Sequence, residues 1–234
     1  AHTARQFSNH RWLYPLMERR ADVVVCLTSG DAKNYSRAKR VEVIPNFART
    51  SHEASIVREN RCLFVGRLCP EKDPLRLLRL WKEIVGRHPS WKLDICGEGE
   101  LDKGVRAEIG RLSIEDSVQM HGHVSDVSRM YAQSAMLLLC SQTEGLPMVL
   151  IEAMRNGLPV VSTDCPYGPA DIVEDGANGF LLPMNDDTAF VDAVSVLIED
   201  DVLRKEMGRK ALESSARFSR EVIIRRWIEL FVKR

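Results

Sequence analysis

The sequence predicts an α/β protein built on a doubly wound, Rossmann-like parallel sheet. Short apolar runs, such as Ala135 to Cys140 and Pro159-Val-Val-Ser-Thr163, alternate along the chain with segments of helical period. The spacing between runs leaves room for a helix of about 10–15 residues each time, as crossovers between parallel strands require.

The elements follow in order. Val23-Val-Val-Cys-Leu27 is a strand, and a helix opens at Thr28-Ser-Gly-Asp31. Val41-Glu-Val-Ile44 is a second strand, ending at Pro45-Asn46, and the polar stretch Arg49 to Asn60 is a linker. Arg61 to Gly66 is a strand, followed by a helix over Asp73 to His88 with Pro74 in its first turn and leucines at 75, 77, 78 and 80. Trp91 to Cys96 leads to a helix over Leu101 to Leu112, and Ser117 to Met120 to one over Asp126 to Gln133. After Ala135 to Cys140, a polar loop precedes a helix that starts near Pro147 and ends at Asn156-Gly157. Proline suits the first helical position and glycine the position past the end. Pro159 to Thr163 and Gly179 to Leu182 complete the strands. Asp186 to Ser215 forms one or two helices, and Ser219 to Arg234 a last one carrying Trp227 and Phe231.

The chain has 234 residues and 44% hydrophobic content, enough for a large core and too much for a disordered protein. With 33 basic and 33 acidic side chains there is no net field to attract nucleic acid, and no basic stripe to track its phosphates. The cysteines at 26, 62, 69, 96, 140 and 165 form no Cys-x-x-Cys pair, and three fall inside apolar runs. They read as reduced, buried thiols of a cytoplasmic protein. No apolar stretch reaches the ~18 residues of a membrane span, and no signal peptide is visible.

Ligands of such sheets bind at the carboxyl ends of the strands, and four strand ends here carry polar or glycine-rich loops. Gly66-Arg67-Leu-Cys-Pro-Glu-Lys72 offers a guanidinium fork and a compact ammonium, both suited to a diphosphate; two solvated cations on an exposed loop would look the same. Gly97-Glu-Gly99-Glu-Leu101 lets backbone approach a ligand closely, or simply makes a tight turn. As a dinucleotide fingerprint it fails, because position 102 is Asp where a third glycine belongs, and this disfavours dehydrogenase chemistry. His121-Gly-His123-Val124 invites a metal reading, yet no acidic or cysteine cluster completes a ligand set; the loop is expected to line a base pocket through its backbone. The fourth segment, Ser141 to Gly157, holds Glu144 in the loop and Glu152 in the second helical turn, with the amides of the helix start between them. Spare donors and partial positive charge at a helix start favour phosphate. A solvent-facing carboxylate and an ordinary helical glutamate are the plainer reading of this pair.

Gly66-Arg67-x4-Lys72, Gly97-x-Gly99 and Glu144-Gly-Leu-Pro-x4-Glu152-Ala-Met together resemble the donor half of family 4 retaining glycosyltransferases of the GT-B architecture. The sequence around Asp164 to Pro169 and Asp175 to Gly179 looks like members that build bacterial surface polysaccharides. The resemblance implies a nucleotide-sugar donor, UDP by frequency in the family, and a glycan or lipid-linked acceptor, with no metal and no cofactor. It implies that Arg67 and Lys72 neutralise the leaving diphosphate and that Glu144 faces the hydroxyls of the donor sugar. The backbone of Gly66, Gly97 and Gly99 and the amides of Gly145, Leu146, Met148 and Val149 would lie near sugar and phosphate. Glu152 would hold the ribose, and His123 and Val124 would frame the base. By the same resemblance Glu144 is not a nucleophile, since front-face displacement retains the configuration. Asp171 stands where family members often carry Glu.

The resemblance also implies the organisation. Residues 1–48 would be the last units of an acceptor domain, 49–218 the donor domain, and 219–234 a helix packing back toward the N-terminal part. His2 and His10 do not replace the catalytic histidine of the acceptor half, so the chain is expected to bind donor as part of a longer protein. The first helix mixes Arg5, Arg11, Arg19 and Arg20 with Phe7, Trp12, Leu13 and Leu16, which suits peripheral membrane association or an ordinary packed helix. A non-catalytic binding module and a two-lobed sugar-nucleotide epimerase are the alternatives. On the donor-site reading, Glu152→Ala and Lys72→Ala are expected to weaken nucleotide binding with little loss of stability.

Overall fold

The computed structural model describes residues 13–48 and 58–232. Its main sheet has six parallel strands: β3 (Arg61–Val65), β4 (Lys92–Cys96), β5 (Val118–Gly122), β6 (Met136–Leu139), β7 (Val160–Thr163) and β8 (Gly179–Leu182). They lie in the order β5-β4-β3-β6-β7-β8. A separate two-stranded parallel sheet pairs β1 (Val24–Cys26) with β2 (Val41–Val43). The doubly wound parallel architecture expected from the alternation is the one observed.

Alternation along the strands divides the core. Cys62, Phe64, Leu93, Ile95, Met136 and Leu138 face one side of the main sheet, while Leu63, Cys96, Leu137 and Leu139 face the other. The first face packs on α3 (Pro74–Arg87), α4 (Asp102–Leu112) and α8 (Asp187–Glu199), through Leu77, Trp81, Ile84, Val105, Phe190 and Val194. The second packs on α5 (Ser128–Gln133), α6 (Met148–Arg155) and α9 (Asp201–Ser215), through Tyr131, Leu150, Met154 and Ala211. With both faces covered, the strands can be apolar on both sides, as parallel sheets require.

Local chemistry sets the helix ends that matter for the loops. Asp73, at φ 45°, caps α3 by accepting the amide of Arg76 at 3.2 Å, and Pro74 fills the first turn. The region Asp186 to Ser215 divides into two helices because Asp186 and Asp200 each cap a new one, accepting the amides of Ala189 and Leu203. Pro147 is not the first residue of α6 but its cap, in extended backbone, so the helix begins at Met148. At its other end Gly157, at φ 69°, closes the turn while the Leu158 amide reaches back to the Ala153 carbonyl at 3.0 Å.

The remaining helices are α1 (Tyr14–Arg20), α2 (Ser29–Ala32), α7 (Pro169–Ile172) and α10 (Arg220–Val232). Several hydrogen bonds among the described residues join the N-terminal elements to the rest. The Asp171 carboxylate accepts the Ser29 amide at 3.0 Å, and the Arg226 guanidinium donates to the Val43 carbonyl. Gly30 is held to glycine by the Tyr167 ring, which a Cβ would meet at 2.6 Å. His2, Arg5, Phe7, His10, Arg11 and Trp12, and residues 49–57 of the expected linker, lie outside the described residues.

Candidate donor site

Strand order fixes where the loops meet. The chain runs from β3 outward through β4 to β5, then returns to place β6 on the other side of β3, so the loops after β3 and β6 leave side by side. This switch point is where doubly wound sheets bind ligands. The loop after β3 carries Gly66, Arg67 and Lys72; the loop after β6 carries Ser141, Glu144 and Gly145 before α6.

Across that junction Lys72 Nζ lies 2.5 Å from Glu144 Oε1, and the Ser141 hydroxyl donates to the same oxygen at 2.6 Å. The pair is largely buried, with the Lys72 side chain 17% and that of Glu144 7% exposed. The loop after β7 braces the glutamate from behind: the Glu144 amide donates to the Pro166 carbonyl at 2.7 Å and its carbonyl accepts the Tyr167 amide at 3.0 Å. Gln142 bridges to the cap of α3, its side-chain amide donating to Asp73 at 2.6 Å. Two loops thus hold the Glu144 carboxylate, and a third holds its backbone.

Beside this pair a cleft of about 240 Å³ opens between the ends of β3, β4 and β5. Val65, Gly66, Arg67, Cys96, Gly97, Glu98, His123, Val124 and Val127 line it; Lys72, Glu144 and Glu152 do not. Lys72 reaches past it, its stem 3.7–3.8 Å from the place a Gly66 side chain would occupy. Arg67 is exposed, and its side chain makes no hydrogen bond or ion pair with the described residues. The amides of Gly145, Leu146, Met148 and Val149 donate to no carbonyl outside α6, and the first amides of a helix have none within it.

Packing between loops by itself requires two of the glycines. A Cβ on Gly97, whose φ is 153°, would fall 1.8 Å from the Gly66 carbonyl, and one on Gly99 would fall 2.3 Å from that of Leu68. Their amides and neighbours are used in the same packing: Gly66 donates to Cys96, Gly97 to Gly122, and Leu68 to Glu98. What demands glycine here is two loop backbones pressed together, with a ligand unnecessary to the explanation.

The two histidines diverge. His121 lies in β5 and not in the loop, with Nε2 2.7 Å from buried Asp94, which also takes Arg61 at 3.0 Å. His123 sits past the strand end and gives its backbone amide to Glu98 at 3.0 Å. Among the described residues no group of three or more His, Cys, Asp or Glu side chains is placed to hold a metal ion.

Glu152 is the second carboxylate of the spaced pair. It sits in the second turn of α6, where its Oε2 accepts the Tyr131 hydroxyl at 2.9 Å. Burial raises its pKa above the ordinary carboxylate value, opposed by the bond from Tyr131. Burial also drives the Tyr131 phenol far up, with the nearby Glu152 charge adding to the effect. Tyr131 shares an apolar cluster with Cys96, Val124 and Val127 of the cleft wall. Ser141 and Tyr131 join the site without a motif that marks them. Ser141 stands three residues before Glu144 and could have been suspected from that spacing. Tyr131 meets Glu152 across a strand and a loop, and no local pattern announces it.

The family model described as "Glycosyl transferases group 1" matches residues 49–214. The chain belongs to this family. Among curated relatives of these group 1 glycosyltransferases, the amylovoran biosynthesis glycosyltransferase AmsD of Erwinia amylovora is 34% identical, over 90% of this chain and 62% of the relative. An N-acetyl-D-galactosaminyltransferase of Campylobacter jejuni, named for a diNAcBac-PP-undecaprenol-linked glycan, is 29% identical over 91% of this chain and 60% of its own length. Among solved structures, a point mutant of S. aureus TarM in complex with fondaparinux, alpha-GlcNAc-glycerol and UDP superposes with a TM-score of 0.87 at 26% identity. It covers 96% of this chain and 47% of that one. The fold is thus that of GT-B glycosyltransferases, and the chain spans less than two thirds of the length of these relatives. No helix of the described residues is long and apolar enough to cross a membrane.

Proposed function

We propose that this chain forms the donor side of a retaining glycosyltransferase that takes a sugar from a UDP-sugar and passes it to a glycan or lipid-linked acceptor in bacterial surface polysaccharide synthesis. The observation that carries the proposal is the Lys72–Glu144 pair, 2.5 Å apart at the β3–β6 switch point beside the cleft of Arg67. Cations, free amides and a braced carboxylate there suit the diphosphate and hydroxyls of a nucleotide-sugar. The UDP in the S. aureus TarM complex supports the choice of nucleotide.

Transfer breaks the bond between sugar C1 and the diphosphate, and negative charge collects on the leaving phosphate. Preorganised donors stabilise that charge without reorganising. Arg67 brings a planar, unpaired fork; Lys72 has two N–H groups beyond the one it gives Glu144; the start of α6 adds the amides of Met148 and Val149. Since these groups supply the positive charge, the proposal includes no metal ion. Glu144 has two donors on Oε1 already, which suits a carboxylate that accepts from sugar hydroxyls through Oε2 and not one that attacks carbon. Glu152 receives the ribose, and His123 and Val124 the base.

The separate β1–β2 sheet supports assigning residues up to 48 to an acceptor-side unit and 49–218 to the donor unit. The Arg226–Val43 bond supports reading residues 219–234 as a helix that crosses back. A lipid-linked acceptor would bring the whole protein to a membrane surface.

Thermal unfolding with millimolar UDP, GDP and ADP tests the donor site. A ligand at a hundred times its Kd stabilises the folded state by about 2.7 kcal/mol, readily seen as a rise in Tm. A rise with UDP is expected; a rise only with GDP or ADP would change the base, and none with any nucleotide would remove the donor-site reading.

A further inference from the structure

Glu152 does not hold its own conformation. A glutamate on a helix surface has three rotatable side-chain bonds, and a carboxylate that must meet a ligand has to be fixed in one arrangement before the ligand arrives. Here one oxygen, Oε2, accepts the hydroxyl of Tyr131 at 2.9 Å, while Oε1 has no hydrogen bond among the described residues. Tyr131 can act as an anchor because its ring is 2% exposed and packed in the apolar cluster with Cys96, Val124 and Val127.

The two helices that carry the pair are themselves locked together. The Arg58 guanidinium donates to the Ser134 carbonyl at the end of α5, at 2.7 Å, and to the Asn156 carbonyl at the end of α6, at 2.6 Å. One side chain thus links both C-terminal ends, which helps to fix the separation between Tyr131 and Glu152. We infer that Tyr131 is a positioning residue: its hydroxyl selects the Glu152 rotamer that leaves Oε1 directed at the ribose diol of the bound nucleotide. This rests on the donor-site reading above and adds a residue to it.

A carboxylate accepts from ribose hydroxyls most strongly while ionised. The titratable side chains that act on this one are Tyr131 of α5 and, through it, the Cys96 thiol of β4. The Tyr131 bond opposes the upward push of burial on Glu152, so removing the hydroxyl lets the carboxylate protonate at higher pH.

The experiment is a calorimetric titration of the whole chain and of its Tyr131→Phe variant with UDP and with the 2′,3′-dideoxy analogue of UDP. Phenylalanine keeps the ring and its packing. Tyr131→Phe is expected to weaken UDP about tenfold, the size of one lost hydrogen bond. It should leave the analogue's affinity unchanged and move the acid loss of UDP binding to higher pH. In a Glu152→Gln background the same substitution should have no further effect, and this cycle still reports if Tyr131→Phe alone is unstable. Equal loss for both ligands, no loss for UDP, or an undiminished effect in the Glu152→Gln background would each overturn the inference while leaving the donor site intact. If the unaltered chain binds neither ligand, the donor-site reading fails and the role of Tyr131 with it.

Discussion

Lys72 and Glu144 form an ion pair across the two loops that flank the sheet's switch point, 2.5 Å apart and largely out of water. The pair does two jobs that pull in different directions. It ties the loop after β3 to the loop after β6, and it spends part of the cationic charge that a diphosphate would need. An entering phosphate therefore shares Lys72 with Glu144, while Arg67, which is unpaired, is available in full.

That relationship changes the expectation for Lys72. Removing one partner of a buried pair leaves the other charge uncompensated, at a cost of about 3 kcal/mol for a pair that keeps some exposure. Lys72→Ala should accordingly lower stability as well as nucleotide affinity. Combining Lys72→Met with Glu144→Gln should recover much of the stability but not the affinity. Urea unfolding and UDP titration of the three variants check this.

The loop glycines make a sharper structural prediction. Gly97→Ala places a Cβ 1.8 Å from a carbonyl oxygen in backbone of positive φ, and should cost on the order of 3–5 kcal/mol or prevent folding. Gly86 and Gly104, in α3 and α4, have nothing within 4 Å of the added atom. Alanine at either should stabilise the protein by about 0.4–1 kcal/mol. Chemical denaturation of the three variants compares them directly.

Glu152 gives a pH dependence whose sign follows from its environment. Its native pKa is raised by burial, so between the unfolded and native values the folded state holds more protons. Stability contributed by this group therefore falls as pH rises through that interval, and above it the buried charge is a standing cost. Glu152→Gln should melt higher than the parent at pH 7 and 8, and the difference should close as pH falls below the ordinary glutamate value. Calorimetric Tm measured against pH reads this out.

All six cysteines are buried and form no disulfide among the described residues. Burial pushes the Cys96 and Cys165 thiols up to about 12, with Glu144 adding to the effect at Cys165. Ellman's reagent at pH 8 should find no rapidly reacting thiol in the native protein and six after denaturation.

The strands were legible because parallel strands buried on both faces are continuous apolar runs, and Leu137 to Cys140 are as apolar as any in the chain. The Glu144 to Glu152 segment was legible because its loop and helix are contiguous in sequence. What could not be read was contact between segments. Tyr131 became visible only when the fold placed it against Glu152. His121 was misread as a loop residue because β5 runs two residues further than its apolar stretch, ending at Gly122, and Asp94 explains the ring. Proline at 147 fitted the first helical turn by composition, but its extended backbone makes it the cap. The reason for Gly97 and Gly99 lay in the neighbouring loop, which no local motif encodes.

Calorimetric titration of UDP into the unaltered chain and into Arg67→Ala tests directly whether Arg67 and its neighbours receive a diphosphate. Arg67 is exposed and unpaired, so the substitution should leave Tm unchanged while weakening UDP by a factor of about 10–100, the range for a hydrogen bond to a charged group. Equal affinity in the two proteins, or no UDP binding by the unaltered chain at millimolar concentration, would contradict it.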